Sequence, residues 1–130
     1  MGEKKRVLII DDERDICQFT KTSLERNGRF EVIVSSDSTS GIELAKQNIP
    51  DIILLDINMP VIDGGGVAQA LGDFPLTQSI PIIFVTGLLK KEELALRDKG
   101  KVNRHYFIAK PVTPKELIEK IESVLDETKA

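Results

Sequence analysis

The sequence has few of the residues and segments that cross-link or export a protein. Cys17 is the only cysteine among 130 residues, which excludes an internal disulfide and a metal site built from several thiolates. No apolar run approaches the ~18–20 residues that cross a bilayer. The charged start of the chain, residues 1–6, leads directly into a strand-like run without the apolar region of a signal peptide. We therefore expect a cytoplasmic protein in a reducing compartment, without membrane contacts.

An excess of positive charge is also missing. The chain carries 18 lysines and arginines against 21 aspartates and glutamates, a formal net charge of -3. This balance provides no broad positive field for nucleic acid, so we expect no direct contact with it. Hydrophobic residues make up 41% and charged residues 30%, which is ordinary for a globular domain and excludes a disordered chain. The length predicts a single domain over residues 1–130, with its core at about residues 6–126.

Short apolar runs alternate with longer segments of helical character. Most of the runs are continuous, which is typical of strands covered on both faces, and they lie at residues 7–10, 32–34, 52–55, 82–85 and 106–108. Helices are predicted at about residues 13–27, 39–47, after Gly64, 90–99, and from Pro114 onward. Thr113 and Glu116 form a Thr-x-x-Glu capping box before the last helix. Residues 64–66 are interpreted as a flexible loop, and residues 98–104 as a polar turn.

The alternation predicts an α/β fold of the flavodoxin-like (βα)5 type. Strands joined through helices form a parallel sheet with right-handed crossovers. Helices on both faces require the strand order to reverse, which gives a doubly wound parallel five-stranded sheet of order 2-1-3-4-5. Ligands bind such sheets outside the carboxyl ends of the strands, near the point of reversal.

Polar side chains stand at four of these strand ends. Asp11 and Asp12 follow the first strand, and Asp56 ends the third. Thr86 ends the fourth strand, and Lys110 follows the fifth. The crossover rule places all these ends at one edge of the sheet, so we expect three carboxylates, one hydroxyl and one ammonium to converge there.

This set of groups suits a divalent cation beside a phosphoryl group. Three close carboxylates repel one another unless a cation lies among them, and Mg²⁺ binds such oxygens while keeping several waters. Lys110 cannot bind a cation, but its ammonium can hold an anion, to which Thr86 can donate a hydrogen bond. One of the carboxylates could itself be the nucleophile and form an aspartyl-phosphate.

The sequence strongly resembles the receiver domain of two-component response regulators, which have a CheY-like fold. The motifs that carry the resemblance are residues 7–13 (VLIIDDE), 56–64 (DINMPVIDG), 81–87 (PIIFVTG) and the pair Lys110-Pro111. The resemblance implies that Asp56 is the phosphoacceptor. It also implies that Asp12 binds Mg²⁺ directly, and Asp11 mainly through a metal-bound water. The main-chain carbonyl of Asn58 is implied as a further ligand, and Mn²⁺ as a substitute ion.

The resemblance further implies a conformational switch. Thr86 and Lys110 would bind the phosphoryl oxygens, and a cis peptide bond between Lys110 and Pro111 would aim the lysine. Movement of Thr86 would let Phe107 turn inward and remodel the surface of the fourth predicted helix, the fifth predicted strand and the fifth predicted helix. Phe107 stands where tyrosine is frequent, and strand alternation directs the neighbouring Tyr106 to the opposite face.

The partners implied are a phosphodonor and a downstream protein. A histidine kinase or histidine phosphotransfer protein would supply the phosphoryl group, since the lone His105 has no supporting base or ATP site in this sequence. The downstream target is unknown, and the protein would be a monomer or a phosphorylation-dependent dimer. It would assist its own phosphorylation and hydrolysis without turning over an external substrate, so we do not expect a conventional enzyme.

Three other functions fit these residues less well than the receiver does. A phosphatase of the haloacid dehalogenase type needs a second carboxylate two residues after its nucleophile, where this chain has Asn58. A flavin-binding protein of the same topology needs a phosphate-binding loop after its first strand, where Asp11 and Asp12 would repel an anion. A receiver-like scaffold that is never phosphorylated is disfavoured by the intact set of site residues.

Overall fold

The computed structural model describes residues 4–56, 64–86, 101–102, 105–110 and 112–127. Six strands lie in these ranges: β1 Lys5–Ile10, β2 Phe30–Ser35, β3 Ile52–Asp56, β4 Ile82–Thr86, β5 Lys101–Val102 and β6 His105–Ala109. Four helices lie there as well: α1 Arg14–Arg26, α2 Ser38–Asn48, α3 Gly64–Gly72 and α4 Pro114–Glu127. The helix expected at residues 90–99 lies outside the described residues. In the part of the chain that the structure describes, no helix is both long and apolar enough to span a bilayer.

The strands form one sheet of order β2-β1-β3-β4-β6-β5. The first five in this order are parallel, which confirms the predicted order 2-1-3-4-5. The sixth strand, β5, was not predicted: it pairs antiparallel with β6 within the segment interpreted as a turn. Two residues are too few to produce an alternating pattern, but they pair with His105 and Tyr106 at the start of β6, which would otherwise be the edge strand of the described sheet.

The sheet separates two apolar cores, and successive residues of its central strands alternate between them. Val7 and Ile9 of β1 face one core, which includes Leu24 of α1 and Leu117 and Ile121 of α4. The second core lies on the opposite face. It contains Leu8 and Ile10 of β1 together with residues of α2 and α3. Burial of each large apolar side chain stabilises the fold by about 1.5–3 kcal/mol, so these two layers hold the strand ends in a fixed arrangement.

Local side-chain caps account for the starts of two helices. The Asp37 carboxylate caps α2 by accepting a hydrogen bond from the main-chain N–H of Ser40 at 2.8 Å. The predicted capping box of α4 is confirmed: the main-chain N–H of Glu116 donates to Thr113 Oγ1 at 3.1 Å, and that of Thr113 donates to Glu116 Oε1 at 3.0 Å. These reciprocal bonds satisfy main-chain donors that have no partner within the helix.

The interpretation of residues 64–66 as a loop was wrong, because α3 begins at Gly64 and includes all three glycines. Glycine costs about 1 kcal/mol relative to alanine inside a helix, which argues against a helix from local preference alone. Burial of Val67, Ala68 and Leu71 anchors α3 on the sheet and outweighs that local cost.

Candidate functional site

The carboxyl end of β1 positions Asp11 through contacts to its main chain and its side chain. Its main-chain N–H donates to the carbonyl of Ser35 at the end of β2, at 3.1 Å. Its Oδ1 accepts a hydrogen bond from the main-chain N–H of Glu13 at 2.9 Å. The thiol of Cys17 donates to the Asp11 carbonyl at 3.2 Å. These contacts hold Asp11 in one orientation. The residue is also buried, with only 6% of its surface exposed.

From sequence, Cys17 served only to exclude a disulfide and a thiolate metal site, and its contact with Asp11 was missed. Burial and the nearby Asp11 carboxylate raise the pKa of the Cys17 thiol to about 11. The thiol is therefore neutral near pH 7, and it can donate its proton to the carbonyl. No sequence motif marks this role, since it depends on how α1 packs against the loop after β1.

Three carboxylates converge at the edge of the sheet, as predicted. Oxygens of Asp11, Asp12 and Asp56 lie within 4.8 Å of one another. Asp56 is the last residue of β3 and is buried, whereas Asp12 is exposed. Burial raises the pKa of Asp11 above its usual value, and the Asp56 charge adds to this effect, although the Glu13 N–H and Lys110 oppose it.

The cationic and hydroxyl groups expected at this edge are also close. Lys110 Nζ lies 3.9 Å from Asp56 Oδ1. Thr86 is the last residue of β4 and is only 2% exposed. The main-chain N–H of Lys110 donates to the Thr86 carbonyl at 2.8 Å, which ties the end of β4 to the residue that follows β6. The structure therefore brings Lys110 to the carboxylates, and it ties the Thr86 backbone to Lys110.

The donor set fits a hard divalent cation. In the described residues it consists of carboxylate oxygens, which Mg²⁺ prefers, and the side chains of Asp11 and Asp56 are buried. A cation among these groups would offset the mutual repulsion of the carboxylates. The predicted roles of Asn58 and of the Lys110-Pro111 peptide bond involve residues 58 and 111, which lie outside the described residues.

The two aromatic residues of β6 lie on opposite faces of the sheet, as strand alternation predicted. Tyr106 is buried in the core beneath α1 and α4, and its hydroxyl donates to Glu127 Oε2 at 2.8 Å. Phe107 packs against the other core and stacks on Phe84, with ring centroids 5.1 Å apart and an interplanar angle of 25°. The contact of Phe107 with Phe84 was not predicted, although the two residues pair in register.

Known proteins are similar to this chain over nearly its whole length. A family model described as "Response regulator receiver domain" matches residues 7–122. A curated relative from Guillardia theta, named "Probable transcriptional regulator ycf27", is 37% identical over 96% of this chain and 47% of its own length. The chain therefore spans about half the length of that relative.

Solved structures show the same similarity. The receiver domain of the Francisella response regulator 1452 is 28% identical, with a TM-score of 0.79 over 97% of this chain and 100% of its own. The Vibrio cholerae chemotaxis protein CheY4 is 27% identical, with a TM-score of 0.79 over 93% of this chain and 98% of its own.

Proposed function

Because this chain belongs to the response regulator receiver domain family of two-component systems, we propose that it is a phosphorylation-dependent switch with Asp56 as the phosphoacceptor. One observation supports this proposal most directly. The Asp56 carboxylate lies at the end of β3 within 4.8 Å of the Asp11 and Asp12 oxygens, with Lys110 Nζ 3.9 Å from its Oδ1. A nucleophilic carboxylate is thus placed beside a cation that can hold an incoming phosphoryl oxygen.

The proposed reaction is transfer of a phosphoryl group to a side-chain oxygen. A carboxylate oxygen of Asp56 attacks phosphorus while the bond from phosphorus to the donor's histidine nitrogen breaks. The nitrogen leaves with the bonding electron pair and takes a proton from water. Lys110 pairs with a phosphoryl oxygen, and Thr86 donates a hydrogen bond to another. Hydrolysis reverses the modification, because water attacks phosphorus, the Asp56 carboxylate leaves, and inorganic phosphate is released.

We propose that Asp11, Asp12 and Asp56, together with the carbonyl of Asn58, hold Mg²⁺, with Mn²⁺ as a substitute. When bound, the ion would supply charge neutralisation for the phosphoryl oxygens. The protein's own residues fix the positions of the carboxylates. Contacts with Glu13, Ser35 and Cys17 hold Asp11, so that the site exists before any partner arrives.

The proposed output is a change in packing around Phe107. Phosphorylation adds about -1.5 to -2 charge beside Thr86. A shift of Thr86 toward the phosphoryl oxygens would leave space on the Phe84 side of the sheet, into which the half-buried Phe107 can turn. The resulting surface would signal to a downstream protein or to a further domain. A histidine kinase or histidine phosphotransfer protein is the proposed donor, and no external substrate is turned over.

Labelling by a small phosphodonor tests the nucleophile. We expect acetyl phosphate with Mg²⁺ to add one phosphoryl group to the protein, detected by intact mass. Asp56→Asn should abolish the labelling, because the amide cannot replace the carboxylate as nucleophile. Asp73→Asn, an exposed control after α3, should be labelled normally. Persistent labelling of Asp56→Asn would mean that another residue is the acceptor.

Chelation tests the cation. EDTA should stop labelling of the unmodified protein, and excess Mg²⁺ or Mn²⁺ should restore it. Labelling that proceeds at the same rate in EDTA would contradict the proposed metal site, while leaving the assignment of Asp56 intact.

A further inference from the structure

An apolar cavity of about 500 Å³ opens beside the carboxylates, between α1 and the start of α4. This volume lies within the range of about 300–1,000 Å³ that is typical of small-molecule sites. Leu54, Leu55 and Val85 form part of the floor, and Asp11, Asp56 and Lys110 stand at one end. The phosphoryl transfer proposed above takes place at that polar end.

One face of α1 forms a wall of the cavity. The lining residues are Ile16, Phe19, Thr20, Ser23 and Leu24, whose spacing places them along a single side of the helix. Ile16 is 40% exposed and Phe19 is 64% exposed, so large apolar side chains border the opening. Val112, Pro114 and Leu117 line the opposite wall. An apolar tail that entered here would be removed from water on two sides.

In the part of the chain that the structure describes, the polar end of the cavity carries more negative than positive charge. Among the described residues that line it, two carboxylates, Asp11 and Asp56, stand against one ammonium, Lys110. Asp12 adds a third carboxylate within 4.8 Å of the other two. A cationic group with several N–H donors complements this end better than an anion does.

We propose that this cavity binds a small amphipathic cation, a primary ammonium on an alkyl or arylalkyl tail. The ammonium donates hydrogen bonds to Asp11 and Asp56, and the tail occupies the space between α1 and α4. A bound molecule covers Asp56 and excludes a phosphodonor from it. The inference concerns the same carboxylates as the proposed function, but binding itself requires neither phosphorylation nor a divalent ion.

Three probes with the same tail and different heads test this inference. Octylammonium, octanol and octanoate are titrated, below their micelle concentrations, into unphosphorylated, metal-free protein, and binding is followed by amide shifts in NMR spectra. We expect octylammonium to bind at least tenfold more tightly than octanoate, equivalent to about 1.4 kcal/mol. We expect octanol to lie between them. Shifts should concentrate in α1, at the end of β3 and at the start of α4.

Two variants of α1 separate the cavity from the helix surface. Ser23→Phe places a bulky ring at a lining position and should weaken octylammonium binding at least tenfold. Gln18→Phe places the same ring at an exposed position that does not line the cavity and should leave binding unchanged. Circular dichroism checks that both variants are folded, and Thr20→Phe provides a second cavity-filling variant.

A third variant tests the head group. Asp11→Asn removes one carboxylate and should reduce the preference for octylammonium over octanol. Absence of binding by all three probes would overturn the inference, as would equal or tighter binding of octanoate, or binding unaffected by Ser23→Phe and Thr20→Phe. Binding is measured without metal or phosphodonor. The acetyl phosphate experiment could therefore fail while the probes still bind, and the two proposals can be judged separately.

Discussion

Asp11 combines a fixed position with an unfavourable charge. Its main chain and side chain are held by Ser35, Glu13 and Cys17, yet its carboxylate is buried within 4.8 Å of Asp56 oxygens. Two unit charges at that distance repel by on the order of 3 kcal/mol at an effective dielectric constant of 20. Lys110 offsets part of this repulsion. The metal-free site therefore works against stability, which is common where function requires like charges to be close.

We expect Asp11→Asn to stabilise the metal-free protein at pH 7 by on the order of 1 kcal/mol, because it removes a buried charge and its repulsion of Asp56. The amide oxygen can still accept the hydrogen bond from the Glu13 N–H. Urea unfolding in EDTA measures the change. Asp12→Asn is the matched control and should have a smaller effect, since Asp12 is exposed. A destabilised Asp11→Asn variant would contradict this account of the site.

Tyr106 provides a pH-dependent reporter of the core beneath α4. Burial, together with the hydrogen bond to Glu127, raises the pKa of Tyr106 to about 12. The folded state therefore favours the neutral phenol. Its contribution to stability is full below the unfolded pKa of about 10 and is lost as pH rises toward 12.

Absorbance at 295 nm measures this titration directly, because Tyr106 is the only tyrosine and the chain has no tryptophan. We expect the folded protein to titrate near pH 12 and the denatured protein near pH 10. Tyr106→Phe should abolish the absorbance change. Titration of the folded protein near pH 10 would show that the phenol is accessible to solvent.

At the scale of elements, the contact between α2 and β1 is unusually close. A Cβ atom added at Gly41 would lie 2.7 Å from Ile10 Cδ1 and 2.8 Å from Ile10 Cγ1. Ile10 is fully buried, so its side chain has little room to move. It immediately precedes Asp11 in the chain. The glycine thus allows α2 to approach the strand that carries the acidic site.

We expect Gly41→Ala to destabilise the protein by on the order of 1 kcal/mol, because overpacking costs about 1–3 kcal/mol and exceeds the helix preference of alanine. Gly72→Ala is the matched control. A Cβ at that position meets nothing within 4 Å, so alanine should be neutral or stabilising by up to ~1 kcal/mol. Thermal or urea unfolding compares the two. Equal effects would indicate that Ile10 does not restrict α2.

The elements that could be predicted from sequence are those specified by local chemistry. The capping box of α4 was recognised because its two partners, Thr113 and Glu116, are three residues apart and their bonds are local. Strand β5 was missed because a pair of residues carries no periodic pattern. The helical state of Gly64 was also missed, since the burial of Val67 and Leu71 decides it rather than the preference of glycine.

At the scale of the whole molecule, topology made the site predictable. Parallel strands place their carboxyl ends at one edge, so Asp11, Asp56 and Lys110 could be grouped without knowledge of any distance. The contact of Cys17 with Asp11 and the stacking of Phe84 on Phe107 could not be foreseen in this way. They depend on how side chains from different elements pack, and sequence periodicity contains no such information.

The convergence of carboxylates links the proposed metal site to the stability of the entire fold. An ion that binds only the folded state stabilises it by RT ln(1 + [L]/Kd), about 2.7 kcal/mol when Mg²⁺ is at 100 times its Kd. We therefore expect Mg²⁺ to raise the melting temperature of the unmodified protein above that in NaCl of equal ionic strength. Asp11→Asn should be more stable than the unmodified protein in EDTA but gain much less from Mg²⁺, because it has one fewer carboxylate. An equal Mg²⁺-induced shift in both proteins would place the ion elsewhere, since general screening is already matched by the NaCl control.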